Sequence, residues 1–253
     1  MNDPGNLAAQ PAARAERPRP DGRVHAHLGL LALVIGAGLN MLRMAPIFLS
    51  DGFERTLLPP KEADDIAAVA SLDGWYLSHV MAVVSVPFLI YGFVAVYQLV
   101  SSRATDAVGE RTVLAGVFGL ATGLALYLVA AVLDGVAVPR AAEHFLAAGD
   151  LDRAATSAVM TGLHETAASF GGHFMATAMI STGLLAVGLV RLGHRTLHSL
   201  TGALLGAVGL VGSVTGVLDL SFQERFPLLG ALVGVMMIWW VALAIALRNH
   251  TAE

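Results

Sequence analysis

Six apolar runs, at about residues 28–49, 75–100, 113–134, 166–190, 199–220 and 226–247, leave this chain few ways to fold. A helix rises about 1.5 Å per residue, so roughly 20 apolar residues cross a hydrocarbon core about 30 Å thick, and each run reaches that length. Within lipid a backbone has to satisfy its own hydrogen bonds, which restricts a spanning segment to helices or closed barrels. Barrel strands alternate apolar and polar residues over about ten positions, and these runs do not. The sequence therefore predicts an all-α bundle of six transmembrane helices, one domain over residues 25–248. Its 13% charged residues, against about 25% in an average soluble domain, point the same way.

Residues 1–24 carry four Arg and four Pro among small and polar residues. Such a segment buries little and is broken by proline, which predicts a disordered tail. The apolar run after Arg23 exceeds the roughly 7 to 15 residues of a signal peptide, so it is expected to remain as the first crossing. Residues 249–253 form a second, short tail. Arg14, Arg17, Arg19 and Arg23, then Arg103 and Arg111, Arg191 and Arg195, and Arg248 flank alternate ends of the runs. The positive-inside rule places these ends, and both termini, on the cytoplasmic side of the cell membrane. Asp51, Glu54, Glu62, Asp64, Asp65, Asp73, Glu143, Asp150, Asp152 and Glu224 then fall in outward-facing segments.

Cysteine is absent, so disulfides, thiolate metal sites and covalently attached c-type haem are excluded. A net charge of −4 offers no basic surface for nucleic acid. The basic residues serve topology.

The first outer loop holds Pro59-Pro60 and an amphipathic stretch from Glu62 to Leu72. The second has apolar residues near helical spacing at Ala142, Phe145, Leu146, Leu151 and Ala155. Both are expected to contain short helices near the membrane surface. In the fifth run Gly202, Gly206, Gly209, Ser213 and Gly216 follow one another at three- and four-residue steps. The third run repeats this with Gly116, Gly119 and Gly123. Small-residue stripes allow close helix contact, within the chain, with a second copy or with a membrane-protein partner.

Each stripe leads to an aspartate, Asp134 in the third run and Asp219 in the fifth, and each preceding run carries a histidine, His79 and His173. The two hairpins read as a parallel repeat. An ionisable residue inside a span costs roughly 2.5 to 3.5 kcal/mol on insertion scales, which makes such residues functional candidates by default. Thr166, Ser169, His173, Thr177 and Ser181 share one ridge of the fourth run. His164 lies nine residues before His173, half a turn out of phase, and with Glu165 reads as an entrance residue. Pro87 removes the hydrogen bond to the Val83 carbonyl, which predicts a bend or polar opening below His79. Arg43 stands in the outer half of the first run.

Trp75-x-x-x-His79 and the six-helix plan resemble a broad class of bacterial membrane proteins. The resemblance covers chiefly the second run and implies a fold, not a chemistry. Function is then open among several classes. A structural or accessory membrane subunit uses its polar residues for packing. A b-type haem protein would take axial imidazoles from His79 and His173, with Arg43 or Arg140 near the propionates and Gly171-Gly172 admitting the porphyrin. A divalent metal site, Cu(II) or Zn(II), would draw on His79, His173, Asp134, Asp219 and Glu165. A small-solute or proton-coupled transporter would titrate His and Asp, although the inner half of the runs is nearly free of ionisable residues. No nucleophile, base and orienting group assemble into a catalytic set.

The topology is checked in a chain that lacks native cysteine. Single cysteines at Asp64, Asp152 and Glu224 are expected to react with an impermeant thiol reagent on intact cells, and ones at Arg103 and His194 to stay unlabelled; labelling at 103 but not at 152 reverses the orientation.

Overall fold

The computed structural model describes residues 21–43, 45, 62–102, 104–194, 197–218 and 222–252; for residues 21–23, 197, 212–218, 222–231 and 250–252 only the helical backbone is described. Of the tail expected to be disordered over residues 1–24, residues 1–20 lie outside the described residues, as does Asp219, while residues 21–24 are helical and open α1. In chain order the elements are α1 (Asp21–Leu42), α2 (Ala63–Ala70), α3 (Trp75–Ser101), α4 (Ala107–Val132), a π-helical turn (Leu133–Ala137), α5 (Val138–Ala147), α6 (Asp150–Arg191), α7 (Leu197–Leu218) and α8 (Phe222–Ala252). No strand occurs among the described residues.

Among the described residues five stretches are long and apolar enough to cross a membrane: Val24–Leu42, Trp75–Ser101, Ala107–Ala147, Asp150–Arg191 and Leu232–Asn249. The fifth expected run corresponds to α7, whose described apolar stretch, His198–Val211, is shorter than a crossing. Five crossings are thus supported among the described residues, and the sixth, expected over α7, is not confirmed. The fourth run also differs from expectation at its start. It was placed at residue 166, but α6 begins at Asp150 and continues for 42 residues, about 63 Å at 1.5 Å per residue. Hydropathy marks only the apolar part of such a helix. Ala, Leu, Met, Glu and Arg carry the helix through its polar start, and Asp150 and Asp152 in the first turn complement its dipole.

Glycine sets how the long helices meet. A Cβ on Gly116 of α4 would lie 2.7 Å from Leu185 N and 2.8 Å from Ser181 O of α6, and one on Gly183 of α6 would lie 2.7 Å from Gly206 Cα of α7. The backbones therefore touch along α4, α6 and α7, as the small-residue stripes predict. α1 packs on α3 in the same manner, with Gly92 seated against Leu33.

Polar groups within this apolar core pair across helices. Asn40 of α1 donates to Ser85 Oγ of α3 at 3.0 Å and accepts from Tyr127 OH of α4 at 3.1 Å. Trp240 of α8 donates to Thr182 Oγ1 of α6 at 3.1 Å. α3 runs unbroken through Pro87, and Ser85 Oγ turns back to the Ala82 carbonyl at 2.6 Å. At the opposite end from the tryptophan, a second apolar cluster forms a cap: Ile66, Ala67 and Ala70 of α2 meet Val138, Ala141, Ala142 and Phe145 of α5 and Met160 of α6. Both local helices expected in the loops are present, folded onto each other. Arg153 of α6 fastens their rim, donating to Asp64 at 2.8 Å and standing 4.5 Å above the Phe145 ring.

Substitutions at the contact glycines test this packing. Gly116→Ala and Gly206→Ala are expected to lower the melting temperature in detergent, overpacking costing about 1–3 kcal/mol. Gly38→Ala, where an added Cβ meets nothing within 4 Å, is expected not to. Equal melting of all three variants would remove backbone contact as the basis of the bundle.

Candidate functional site

Proline at 139 starts the site. In a regular α-helix the Val138 N–H would bond to the Asp134 carbonyl. Here it bonds to Leu133 O, one residue further back, and the helix widens into the π turn. In that pattern the donor for the Asp134 carbonyl would be residue 139, and proline has no N–H. The orphaned carbonyl is instead satisfied from another helix: Trp75 Nε1 of α3 donates to Asp134 O at 2.9 Å. A buried carbonyl without a partner would be costly, so the indole and the proline are complementary.

Trp75 also places His79, one turn along α3. His79 Nδ1 lies 2.8 Å from the Trp75 carbonyl and the two rings are 4.7 Å apart. His79 then reaches the carboxylate of the same π turn, Nε2 to Asp134 Oδ2 at 3.3 Å. Gly135 is what admits it, since an added Cβ would overlap the His79 Cβ and ring. From α6, His164 Nδ1 stands 3.4 Å from the other carboxylate oxygen, Asp134 Oδ1. One carboxylate thus faces two imidazoles on two different helices. The His79 and His164 side chains retain 8% and 10% of their surface and Asp134 24%, so the aspartate is the point of access. Asp134 Oδ1, His164 Nε2 and Ser78 Oγ are buried without a hydrogen-bond partner among the described residues.

His164 is four residues beyond Met160 of the cap cluster, on the same face of α6. The cap therefore lies directly over the site. Sequence reasoning had singled out His79 and Asp134, but treated His164 as an entrance residue and used Trp75 only as part of a resemblance. The relevant signals were Pro139 five residues after Asp134 and the common phase of Met160 and His164.

The remaining expected residues lie elsewhere. His173 is exposed, its Nδ1 2.7 Å from the Ser169 carbonyl of its own helix, and it lines an open depression of about 650 Å³ with Glu165, Thr166 and Ser169. Half a helical turn separates it from His164, so it does not join His79. Of the polar ridge, Thr166, Ser169 and His173 are exposed and Thr177 is half-buried, while Ser181 is buried against Gly119. Arg43 is half-buried with its guanidinium 5.8 Å over the Tyr127 ring. Arg140 is exposed.

The pair expected as axial haem ligands, His79 and His173, is not brought together. The two His79 ring nitrogens face the Trp75 carbonyl and the Asp134 carboxylate. Among the described residues no group of three or more His, Cys, Asp or Glu is disposed to hold a metal ion. Of the expected set of His79, His173, Asp134, Asp219 and Glu165, His79 and Asp134 are brought together, His173 and Glu165 lie apart on the open depression, and Asp219 lies outside the described residues. No family model, curated protein or solved structure matches the chain.

Gly135→Ala isolates the geometry without touching a polar group. The added methyl is expected to push His79 and Trp75 out of the π turn, lowering stability by about 1–3 kcal/mol and shifting the tryptophan fluorescence. An unchanged spectrum and melting temperature would mean that His79 does not seat on Gly135.

Proposed function

We propose that this chain is an accessory or structural subunit of the cell membrane, with both termini cytoplasmic, in which an outward-facing His79–Asp134–His164 cluster fastens a helical cap to a six-helix bundle. One observation carries this reading: a single carboxylate, set in a π turn, is bridged to imidazoles from two other helices directly beneath the cap. Such a joint ties α3, α4 and α6 together at the level where α2 and α5 fold over them. Among the described residues no hydroxyl is hydrogen-bonded to either imidazole as an activated nucleophile would be, which fits a fastening better than a catalytic site. The long polar start of α6 supports the same role, because it carries the bundle into the cap as one rigid element.

The haem, metal and transporter readings draw less support. The haem reading lacks a second imidazole facing His79. The transporter reading lacks a polar route: inward of the cluster the described core is Leu30, Leu33, Leu89, Phe93 and Leu120, interrupted by the self-satisfied Asn40–Ser85–Tyr127 set.

Protein purified in detergent without chelators is expected to show no Soret band and less than one metal ion per chain. Asp134→Asn is expected to lose on the order of 2–3 kcal/mol of stability, less than the ~3–5 kcal/mol of a fully buried pair because the aspartate is partly exposed. Hydrogen exchange should rise in Ala63–Ala70 and Val138–Ala147. A Soret band, or a stoichiometric metal lost in His79→Ala, overturns the structural reading; so does an Asp134→Asn protein with unchanged melting.

A further inference from the structure

We infer that the cluster is a buried binding site for a single proton, held between His79 Nε2 and Asp134 Oδ2. The inference rests on the fastening role above and adds what the fastening must contain. It follows from which atoms face which. His79 Nδ1 is 2.8 Å from a backbone carbonyl oxygen, and a carbonyl only accepts, so Nδ1 carries a hydrogen. In a neutral imidazole Nε2 would then be a bare lone pair. Yet Nε2 faces a carboxylate oxygen at 3.3 Å, and an ionised carboxylate also only accepts. Two acceptors do not hold each other. A proton has to lie between them, on the ring as imidazolium or on Asp134 as the acid.

Charge balance gives the same count. His164 Nδ1 stands 3.4 Å from Asp134 Oδ1, and its Nε2 is buried without a partner among the described residues. With one proton between His79 and Asp134 and a neutral His164, the cluster has no net charge. Remove that proton and a carboxylate faces two neutral rings. Add another, on His164 Nε2, and a buried N–H has no acceptor. The elements packed around the site do not compensate either state. α2 and α5 turn apolar side chains toward the cap interior. Their charged and titratable groups, Asp64, Asp65, Arg140, Glu143 and His144, are exposed, as are Asp73 at the start of α3 and Glu165 on α6. Among the described residues, His79 and His164 are the ion-pair partners of Asp134.

The test uses the full chain in detergent, with its seven other histidines replaced by glutamine so that His79 and His164 remain, and with nitrogen-15 in the imidazoles and carbon-13 in the aspartate carboxyls. Near neutral pH, NMR is expected to show one ring with both nitrogens protonated and one ring protonated at a single nitrogen; if the proton resides on Asp134, infrared spectroscopy shows a protonated carboxyl instead, absent in Asp134→Asn. Asp134→Asn also abolishes the doubly protonated ring, because the amide can donate to His79 Nε2. Two singly protonated rings with an ionised Asp134, or a metal ion whose removal by chelator changes the ring signals, overturn the proposal. The wild-type side-chain set decides the matter even where Asp134→Asn fails to fold. The fastening role stands or falls separately, on melting and hydrogen exchange.

Discussion

Helix backbones in direct contact are the condition on which this molecule depends. In lipid no hydrophobic force draws one apolar helix to another, so association has to come from dispersion contact and interhelical hydrogen bonds. Gly116 against Ser181 and Leu185, and Gly183 against Gly206, bring α4, α6 and α7 together closely enough for that contact to be continuous. The spacing also fixes the depth at which each side chain meets its neighbours. His164 reaches Asp134 because α6 is already locked to α4 two and more turns further down.

The site shows how one backbone defect organises several side chains. Pro139 deprives the Asp134 carbonyl of a donor; Trp75 supplies one and in doing so anchors the start of α3; the Trp75 carbonyl then orients His79, whose ring needs the space left by Gly135. Each step repairs or uses what the previous one left open. A π turn in place of a regular one also re-aims Asp134, since the extra residue rotates the chain relative to the α4 face carrying Gly116 and Gly123. The widened turn is therefore the reason one aspartate can address imidazoles from two sides.

Much of the membrane architecture was legible because hydropathy and charge act over whole segments. The helical class, the stripes of Gly116 and Gly206 and the short helices of both loops follow from periodicity alone. Pairwise relations were less accessible. His79 and Asp134 were recognisable as costly intramembrane groups, but the companion brought to them is His164 and not His173. The half-turn between His164 and His173 follows from their spacing; which of the two faces of α6 meets α4 does not. The length of α6 was hidden for a related reason. Its polar first four turns lower the hydropathy without interrupting the helix.

An ion pair next to lipid is weak evidence of stability by itself, since the desolvation of two charges offsets much of their attraction. What distinguishes this cluster is that its polar atoms come from three separate elements, α3, the π turn after α4 and α6. Leucine at position 134 would pack, but it would neither select His79 over a lipid-facing residue at the same depth nor hold His164 in phase with Met160. A carboxylate within 3.3–3.4 Å of both imidazoles favours the rotations of α3 and α6 that bring these rings to it. The cap needs that rotation, because Ile66 and Phe145 can close over Met160 only when α6 presents this face. Specificity of helix orientation, more than free energy of association, is what the buried His–Asp–His arrangement contributes to the fold.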